Sequence, residues 1–196
     1  DIQMLAQTLD RLEAENGLPA GAVGILALIE TALGVENAFS IASASPRVQA
    51  LFLGAEDLSA DLHCKRTKEG AEILYARTRL VMAARAAGID VYDTPFTDVD
   101  DDEGLCADAA LAKSLGFTGK AAISPRHLGN INRCFSPTQA EVDHANEVLA
   151  ALEEGKRQGR GAVALHGKMI DAPIAARAKR TIADAEQILK RGGTLA

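Results

Sequence analysis

The chain has 196 residues, of which 47% are hydrophobic and 24% charged, and its formal net charge is -6 at pH 7. This composition predicts a single globular core, and an acidic balance without a basic stripe argues against a nucleic-acid partner. No apolar run reaches the roughly 18 residues of a membrane helix, and the first residues lack the pattern of a secretory signal, so we expect a cytoplasmic protein without a membrane partner.

Strand-like and helical patterns alternate along the chain. Five apolar runs are typical of strands covered on both faces: residues 22–29, 48–53, 89–92, 120–123 and 162–165. Helical patterns cover residues 2–12, 35–44, 69–87, 98–115, 137–155 and 173–190. A strand and its following helix together take about 30 residues, which is typical of a parallel α/β fold.

Local signals define several helix ends. Asn16 and Gly17 are expected to end the first helix, and Gly88 is expected to end the third in the left-handed conformation. Ser136 followed by Pro137 predicts a helix start, with Ser136 as the capping residue and Pro137 at the first helical position.

An acidic run at the start of the 98–115 helix has two interpretations. Its carboxylates belong to Asp98, Asp100, Asp101, Asp102 and Glu103. Such a run could bind a metal ion, but carboxylates in a first helical turn also complement the helix dipole while remaining solvated. We favour the second interpretation.

A pair of carboxylates is the first candidate for chemistry. Glu30 ends the first apolar strand and Asp57 follows the second, so parallel strands would carry both to one edge of the sheet. Carboxylate oxygens are ligands that Mg2+ prefers, and the small-residue turn at Gly54 and Ala55 could direct N–H groups at a substrate carboxylate. The alternative is that Glu30 caps a helix and that Asp57, like Glu56, merely ends a strand.

Other candidates are weaker. His127 and His166 follow predicted strands, whereas His63 and His144 lie in solvent-facing contexts, and no two histidines have a metal-ligand spacing. The three cysteines are interpreted as packing residues. No dinucleotide-binding, P-loop or nucleophile-elbow motif occurs.

Five motifs, in order, resemble the citrate lyase beta subunit family. They are residues 27–34 (ALIETALG), 53–58 (LGAEDL), 77–81 (RTRLV), 119–125 (GKAAISP) and 167–171 (GKMID). The resemblance implies a TIM (β/α)8 barrel in a Mg2+-dependent carbon–carbon lyase of the HpcH/HpaI aldolase group, which acts on thioesters such as citryl-CoA or malyl-CoA. It also implies a homotrimer or a hexamer.

The resemblance assigns roles to individual residues. It implies that Glu30 and Asp57 bind Mg2+, and that Glu30 with residues 54–57 (Gly54, Ala55, Glu56 and Asp57) forms the substrate-binding site, in which N–H groups clamp a 2-oxo acid carboxylate. Asp171 resembles an aspartate that reaches the thioester α-carbon from a neighbouring subunit as an acid or base.

Two residues depart from the family pattern. Ser124 stands where the family usually has His, and His166 stands where Asp is common. Neither is a predicted metal ligand, but both bear on thioester specificity. They leave two alternatives open, which are an aldolase for free 4-hydroxy-2-oxo acids and a non-catalytic barrel subunit.

The length suggests an incomplete barrel. Five strands are counted where a barrel has about eight, so we expect about three N-terminal strand–helix units to be missing, with an early-strand arginine that grips the substrate. We assign residues 1–155 to the C-terminal part of the barrel and 156–196 to a helical extension that packs on a neighbouring subunit. Such a segment is not expected to close a barrel by itself.

Overall fold

A computed structural model describes residues 1–159 and 163–196. The helices are α1 (Ile2–Glu15), α2 (Ala32–Glu36), α3 (Ala38–Ala42), α4 (Ala55–Asp61), α5 (Leu74–Ala87), α6 (Asp102–Leu115), α7 (Leu128–Phe135), α8 (Gln139–Arg157) and α9 (Ala172–Lys190). The strands are β1 (Ile25–Ile29), β2 (Val48–Leu53), β3 (Asp90–Asp93), β4 (Gly119–Lys120), β5 (Val163–Leu165) and β6 (Lys168–Ile170). Short 3-10 turns precede α5 and α7. The chain divides into two compact units, Asp1–Ile131 and Asn132–Ala196.

The first unit is built on a parallel sheet with strand order β1-β2-β3-β4. Ile29 pairs with Leu53 at the carboxyl ends of β1 and β2, and Leu51 pairs with Val91 between β2 and β3. This confirms the predicted α/β class with a parallel sheet. The sheet is open within the described residues, so the (β/α)8 barrel stays a prediction.

The core of the first unit lies on both faces of β2 and β3. Leu51, Leu53 and Val91 are fully buried, and Leu80 of α5 is buried with them. Ala6 of α1 belongs to a second cluster, which contains Ile25 and Val48. Adjacent buried residues on β2 agree with its continuous apolar run, whereas β1 is equally apolar although Leu26 and Leu28 on one of its faces are exposed.

Gly88 ends α5 in the left-handed conformation, at φ 72°, as predicted. Two other helices have no counterpart among the predicted elements. Gly54 at the start of α4 has no side chain for capping. The helix α7 directly follows a 3-10 turn that Ser124 caps, with Pro125 after it. β4 is shorter than expected because the chain turns away after Ala121 N–H donates to the Asp93 carbonyl oxygen.

The predicted start of α8 at Ser136 was wrong by two residues. Thr138 is the capping residue, and it forms a reciprocal capping box with Glu141. A Thr with Glu three residues later satisfies two N–H groups, which outweighs the weaker signal of Ser136 and Pro137.

The second unit pairs α8 with α9 beside a hairpin of β5 and β6. Its core contains Ala145, Val148, Leu152, Ile170 and Ala178. The predicted strand 162–165 is present at 163–165, while residues 160–162 lie outside the described residues. The predicted alternation of strands and helices implied that β5 belongs to the parallel sheet. Within the described residues β5 instead pairs antiparallel with β6.

The turn explains that hairpin. His166 and Gly167 connect β5 to β6, and both have positive φ angles, 48° and 75°. Two consecutive positive φ values are typical of the tight turn that matches the twist of antiparallel strands. The predicted boundary at 155/156 falls inside this second unit, and its packing on a neighbouring subunit stays a prediction. None of the helices in the described residues has the length and apolarity needed to cross a membrane.

Candidate active site

The carboxyl ends of the parallel strands carry the predicted site residues. Glu30 directly follows β1, Gly54 follows β2, and Thr94 follows β3. Because the strands are parallel, these three positions lie along the same edge of the sheet. In α/β folds this edge is where substrates and metal ions bind.

Glu30 lies directly against the backbone of Gly54. The Gly54 N–H donates to the Ile29 carbonyl oxygen at 2.9 Å. A Cβ atom added to Gly54 would lie 2.8 Å from Glu30 Cβ and 3.1 Å from Glu30 Oε2. The half-buried Glu30 side chain therefore occupies space that only a glycine leaves open.

Asp57 and Glu56 lie in the first turn of α4, where both are exposed. Within residues 1–159 and 163–196, no group of three or more His, Cys, Asp or Glu residues could hold a metal ion. The candidate set is thus the two carboxylates of Glu30 and Asp57. Mg2+ commonly binds one or two protein carboxylates and keeps its other sites for water and substrate oxygens, so this donor set fits that ion.

The N–H of Ala55 is already bonded within the protein. It donates to Thr94 Oγ1 at 3.2 Å, and both residues are buried. The predicted carboxylate clamp would therefore rest on the N–H groups of Glu56 and Asp57. Sequence analysis missed Thr94, although its position two residues after the predicted strand 89–92 was a usable signal.

A cavity of about 150 Å3 adjoins Glu56. Its lining comprises Glu56, Arg66, Thr67, Lys68, Phe96, Thr97 and Asp98. Arg66 pairs with Glu72 at 2.6 Å and lies 3.5 Å from Glu56. Burial raises the pKa of Glu72, but hydrogen bonds from Thr67 and from Arg66 outweigh that effect and lower this pKa to about 2. The cavity therefore carries both charge signs.

Of the acidic run 98–103, Asp98 lines this cavity, and Asp101 with the residues after it lies at the start of α6. Asp101 caps α6 by accepting the Gly104 N–H at 2.8 Å. Lys68 contacts Asp98 at 2.9 Å and Asp101 at 2.7 Å, and hydrogen bonds with both raise the pKa of Lys68. Asp100 pairs with Arg126. These partners support the helix-start interpretation of the run over a metal site.

Below the edge lies a buried network of four charged residues. Arg77 donates to both carboxylate oxygens of Asp93, at 2.9 and 2.8 Å, and to Asp108 at 2.6 Å. Lys120 donates to Asp93 and to the Thr94 carbonyl oxygen, each at 2.7 Å, and to Asp108. Burial opposes ionisation of Asp108, but the Lys120 and Arg77 charges outweigh it and hold the Asp108 pKa below its usual range.

This network was also missed from the sequence. Arg77 lies on the core-facing stripe of α5, between the buried Ile73 and Leu80, and it is fully buried. A charged residue at core spacing is a signal for a buried partner of opposite charge. The two cations and two anions balance, so the network carries no net charge.

The structure assigns the remaining predicted residues to other elements of the chain. Asp171 caps α9 in the second unit, where its side chain accepts the Ile174 N–H at 3.4 Å. Ser124 caps a 3-10 turn through the Arg126 N–H. His166 is exposed on the hairpin turn, with Nε2 3.3 Å from Glu147 Oε2. His127, expected only to follow a strand, is buried.

Several known proteins are similar to this chain over most of its length. Residues 1–125 match the HpcH/HpaI aldolase/citrate lyase family. The citrate lyase subunit beta of Escherichia coli strain K12 is 41% identical over 186 residues, which cover 95% of this chain and 62% of that protein. The L-malyl-CoA/beta-methylmalyl-CoA lyase of Rhodobacter capsulatus is 33% identical, over 95% of this chain and 64% of that protein.

A solved structure is also similar. The crystal structure of CitE from Mycobacterium tuberculosis in complex with magnesium, acetoacetate and coenzyme A superposes with a TM-score of 0.73 at 33% identity, covering 83% of this chain and 61% of that one. The chain thus spans less than two thirds of the length of each of these relatives.

Proposed function

Because this chain belongs to the HpcH/HpaI aldolase/citrate lyase family, as its motifs predicted, we propose that it is part of a Mg2+-dependent carbon–carbon lyase for CoA thioesters. Its substrate would be a 3-hydroxyacyl thioester such as citryl-CoA or malyl-CoA, cleaved into an acyl-CoA and a 2-oxo acid, or formed from them. The observation that carries the proposal is the placement of Glu30 against Gly54, at the strand edge where Asp57 lies in the first turn of the next helix.

The chain's own residues have distinct tasks in this reaction. Glu30 and Asp57 would hold Mg2+, which when bound supplies positive charge that stabilises the oxygen atoms of the 2-oxo acid. The N–H groups of Glu56 and Asp57 would orient the substrate carboxylate at the start of α4.

The reaction also requires an acid that can protonate the thioester α-carbon. In the cleavage direction the substrate hydroxyl gives its proton to water, its oxygen forms the carbonyl group of the 2-oxo acid, and the electron pair of the breaking carbon–carbon bond passes to the thioester α-carbon as an enolate. That carbon must then take up a proton, which a carboxylic acid can donate, and the same carboxylate removes it in synthesis. We assign this task to Asp171 from the second unit of a neighbouring subunit in a trimer or hexamer.

Metal binding provides the first test. Calorimetric titration of the intact protein with Mn2+, used in place of Mg2+, should show binding, and Glu30→Gln should weaken it by roughly 100-fold, at the upper end of the loss seen for supporting partners of metal ligands. Glu15→Gln is the matched control, because Glu15 is an exposed carboxylate at the end of α1, the helix whose Glu13 accepts the Val23 N–H ahead of β1. Equal affinities for the wild type and Glu30→Gln would contradict the proposed site.

Turnover provides the second test. The intact protein should release a 2-oxo acid from citryl-CoA or malyl-CoA, and Asp171→Asn should lower kcat while Mn2+ affinity stays unchanged. Cleavage of free 4-hydroxy-2-oxo acids alone would make the protein an aldolase of a different substrate class. Metal binding without any turnover would indicate a non-catalytic subunit.

A further inference from the structure

The start of α4 is capped by a residue that follows another strand, β3. The capping position is occupied by Gly54, which has no side chain to accept a helix N–H. The first helical N–H, that of Ala55, instead donates to the hydroxyl oxygen of Thr94 at 3.2 Å. Thr94 follows β3, so a neighbouring strand supplies the cap that the local sequence lacks.

Two consecutive N–H groups hold the turn between β2 and α4 from opposite sides. Gly54 N–H donates to Ile29 on β1, and Ala55 N–H donates to Thr94 beyond β3. The first bond places Gly54 beside Glu30, and the second determines where α4 begins and thus where Asp57 lies in its first turn. Loss of the second bond would free the helix start on one side only.

Thr94 is itself held firmly. It is 1% exposed, and its carbonyl oxygen accepts a hydrogen bond from Lys120 Nζ at 2.7 Å. Lys120 is bound in turn by Asp93 and Asp108 within the buried charged network. The backbone that carries the Thr94 hydroxyl is thus held by the buried charged network.

We propose that Thr94 is a positioning residue of the metal site, which acts through the Ala55 N–H to set Asp57 relative to Glu30. This inference rests on the proposed function, because it needs a metal ion shared by these two carboxylates. Groups that orient metal ligands typically contribute 10–100-fold to metal affinity, so the expected loss without the hydroxyl is about 10-fold.

The experiment compares Mn2+ affinity with thermal stability in the intact protein. Thr94→Val keeps the shape but removes the acceptor, and it should raise the Kd for Mn2+ about 10-fold, whereas Thr94→Ser should keep an affinity close to that of the wild type. Thr94→Ala repeats the loss with a smaller side chain, in case the valine lowers the Tm too far for titration.

Thr118→Val is the matched control. Thr118 Oγ1 also accepts a backbone N–H, that of Val91 at 3.0 Å, but it does so nearer the amino end of β3. Its loss should lower the Tm and leave the Mn2+ Kd unchanged, which separates positioning from a general loss of stability.

The outcomes are distinguishable. The inference is supported if the Mn2+ Kd is raised in Thr94→Val and Thr94→Ala. The Kd of Thr94→Ser and that of Thr118→Val should then equal the wild-type value. Wild-type affinity in folded Thr94→Val or Thr94→Ala, or equal losses in Thr118→Val, overturns it while the proposed function stands. A wild-type protein that binds no Mn2+ overturns both.

Discussion

Replacing Lys120 with methionine removes one of the two cations in the buried network and preserves most of the side-chain volume. The wild-type ammonium donates to Asp93 and to the Thr94 carbonyl oxygen, each at 2.7 Å, and to Asp108. In Lys120→Met these three acceptors lose a donor, and two buried carboxylates face the single guanidinium of Arg77. The network changes from neutral to a net charge of -1.

The expected cost follows from that imbalance. Removing one partner of a buried ion pair costs about 3–5 kcal/mol, because it leaves an uncompensated charge out of contact with water. Arg77 still contacts both Asp93 and Asp108, which limits the loss, so we expect about 4 kcal/mol. Since domains are stable by only about 5–15 kcal/mol, Lys120→Met should lie close to the limit of folding.

Urea unfolding of the intact protein measures this loss as a lower midpoint. Lys68→Met is the matched control, because Lys68 also contacts two aspartates, Asp98 and Asp101, but its side chain is 60% exposed, compared with 0% for Lys120. Exposed ion pairs contribute little to stability, so the control should change the midpoint only slightly. Similar losses in the two variants would refute the argument from burial.

A second substitution tests the charge balance directly. Asp108→Leu combined with Lys120→Met leaves the bidentate pair of Arg77 and Asp93, which is neutral. The double variant should therefore be more stable than the sum of the two single losses predicts, by about 2 kcal/mol. Strict additivity would show that the four charges do not act as one network.

Two further predictions concern the ends of β1. Hydrogen bonds from Arg47 lower the pKa of the buried Glu13 carboxyl from 4.5 to about 2, so its ionised form stabilises the fold above about pH 4.5, and this contribution is lost as the pH falls toward 2. Thermal unfolding should show a difference between wild type and Glu13→Gln that is constant near neutral pH and shrinks below about pH 4.5; a pH-independent difference would contradict the assignment. At the carboxyl end, Gly54→Ala should weaken Mn2+ binding about 10-fold by displacing Glu30, whereas Gly129→Ala, where an added Cβ meets nothing within 4 Å, should not; equal affinities would exclude the close approach as a requirement.

The sequence alone was sufficient for the elements that local pattern controls. The apolar runs located β1, β2 and β3 to within a few residues, because short continuous apolar runs are typical of the strands of a parallel sheet. Gly88 marked the end of α5 because few other residues adopt a positive φ without strain. The ends of the first two apolar runs likewise predicted that Glu30 and Asp57 lie at one edge of the sheet.

Elements without a local signal could not be found in this way. α4 has Gly54 at its capping position, and its first N–H, that of Ala55, donates to Thr94, which lies 39 residues away in the sequence. β5 is apolar like the other strands, yet it pairs with β6, because the turn at His166 and Gly167 brings these two strands together. A strand's partner depends on the path of the chain, which an apolar run does not specify.

At the candidate site, too, the sequence identified the groups that depend on neighbours along the chain, and the tertiary structure was needed for those that depend on packing. Residue types and strand ends identified the two carboxylates and the glycine between them, since those features depend on neighbours along the chain. Only the tertiary structure brought Arg77, Asp93, Asp108 and Lys120 into one neutral cluster beneath Thr94, because their hydrogen bonds join residues 12–31 positions apart. Sequence determined which groups the strand edge carries, and the register of the sheet and the packing of α5 and α6 decided which of them meet.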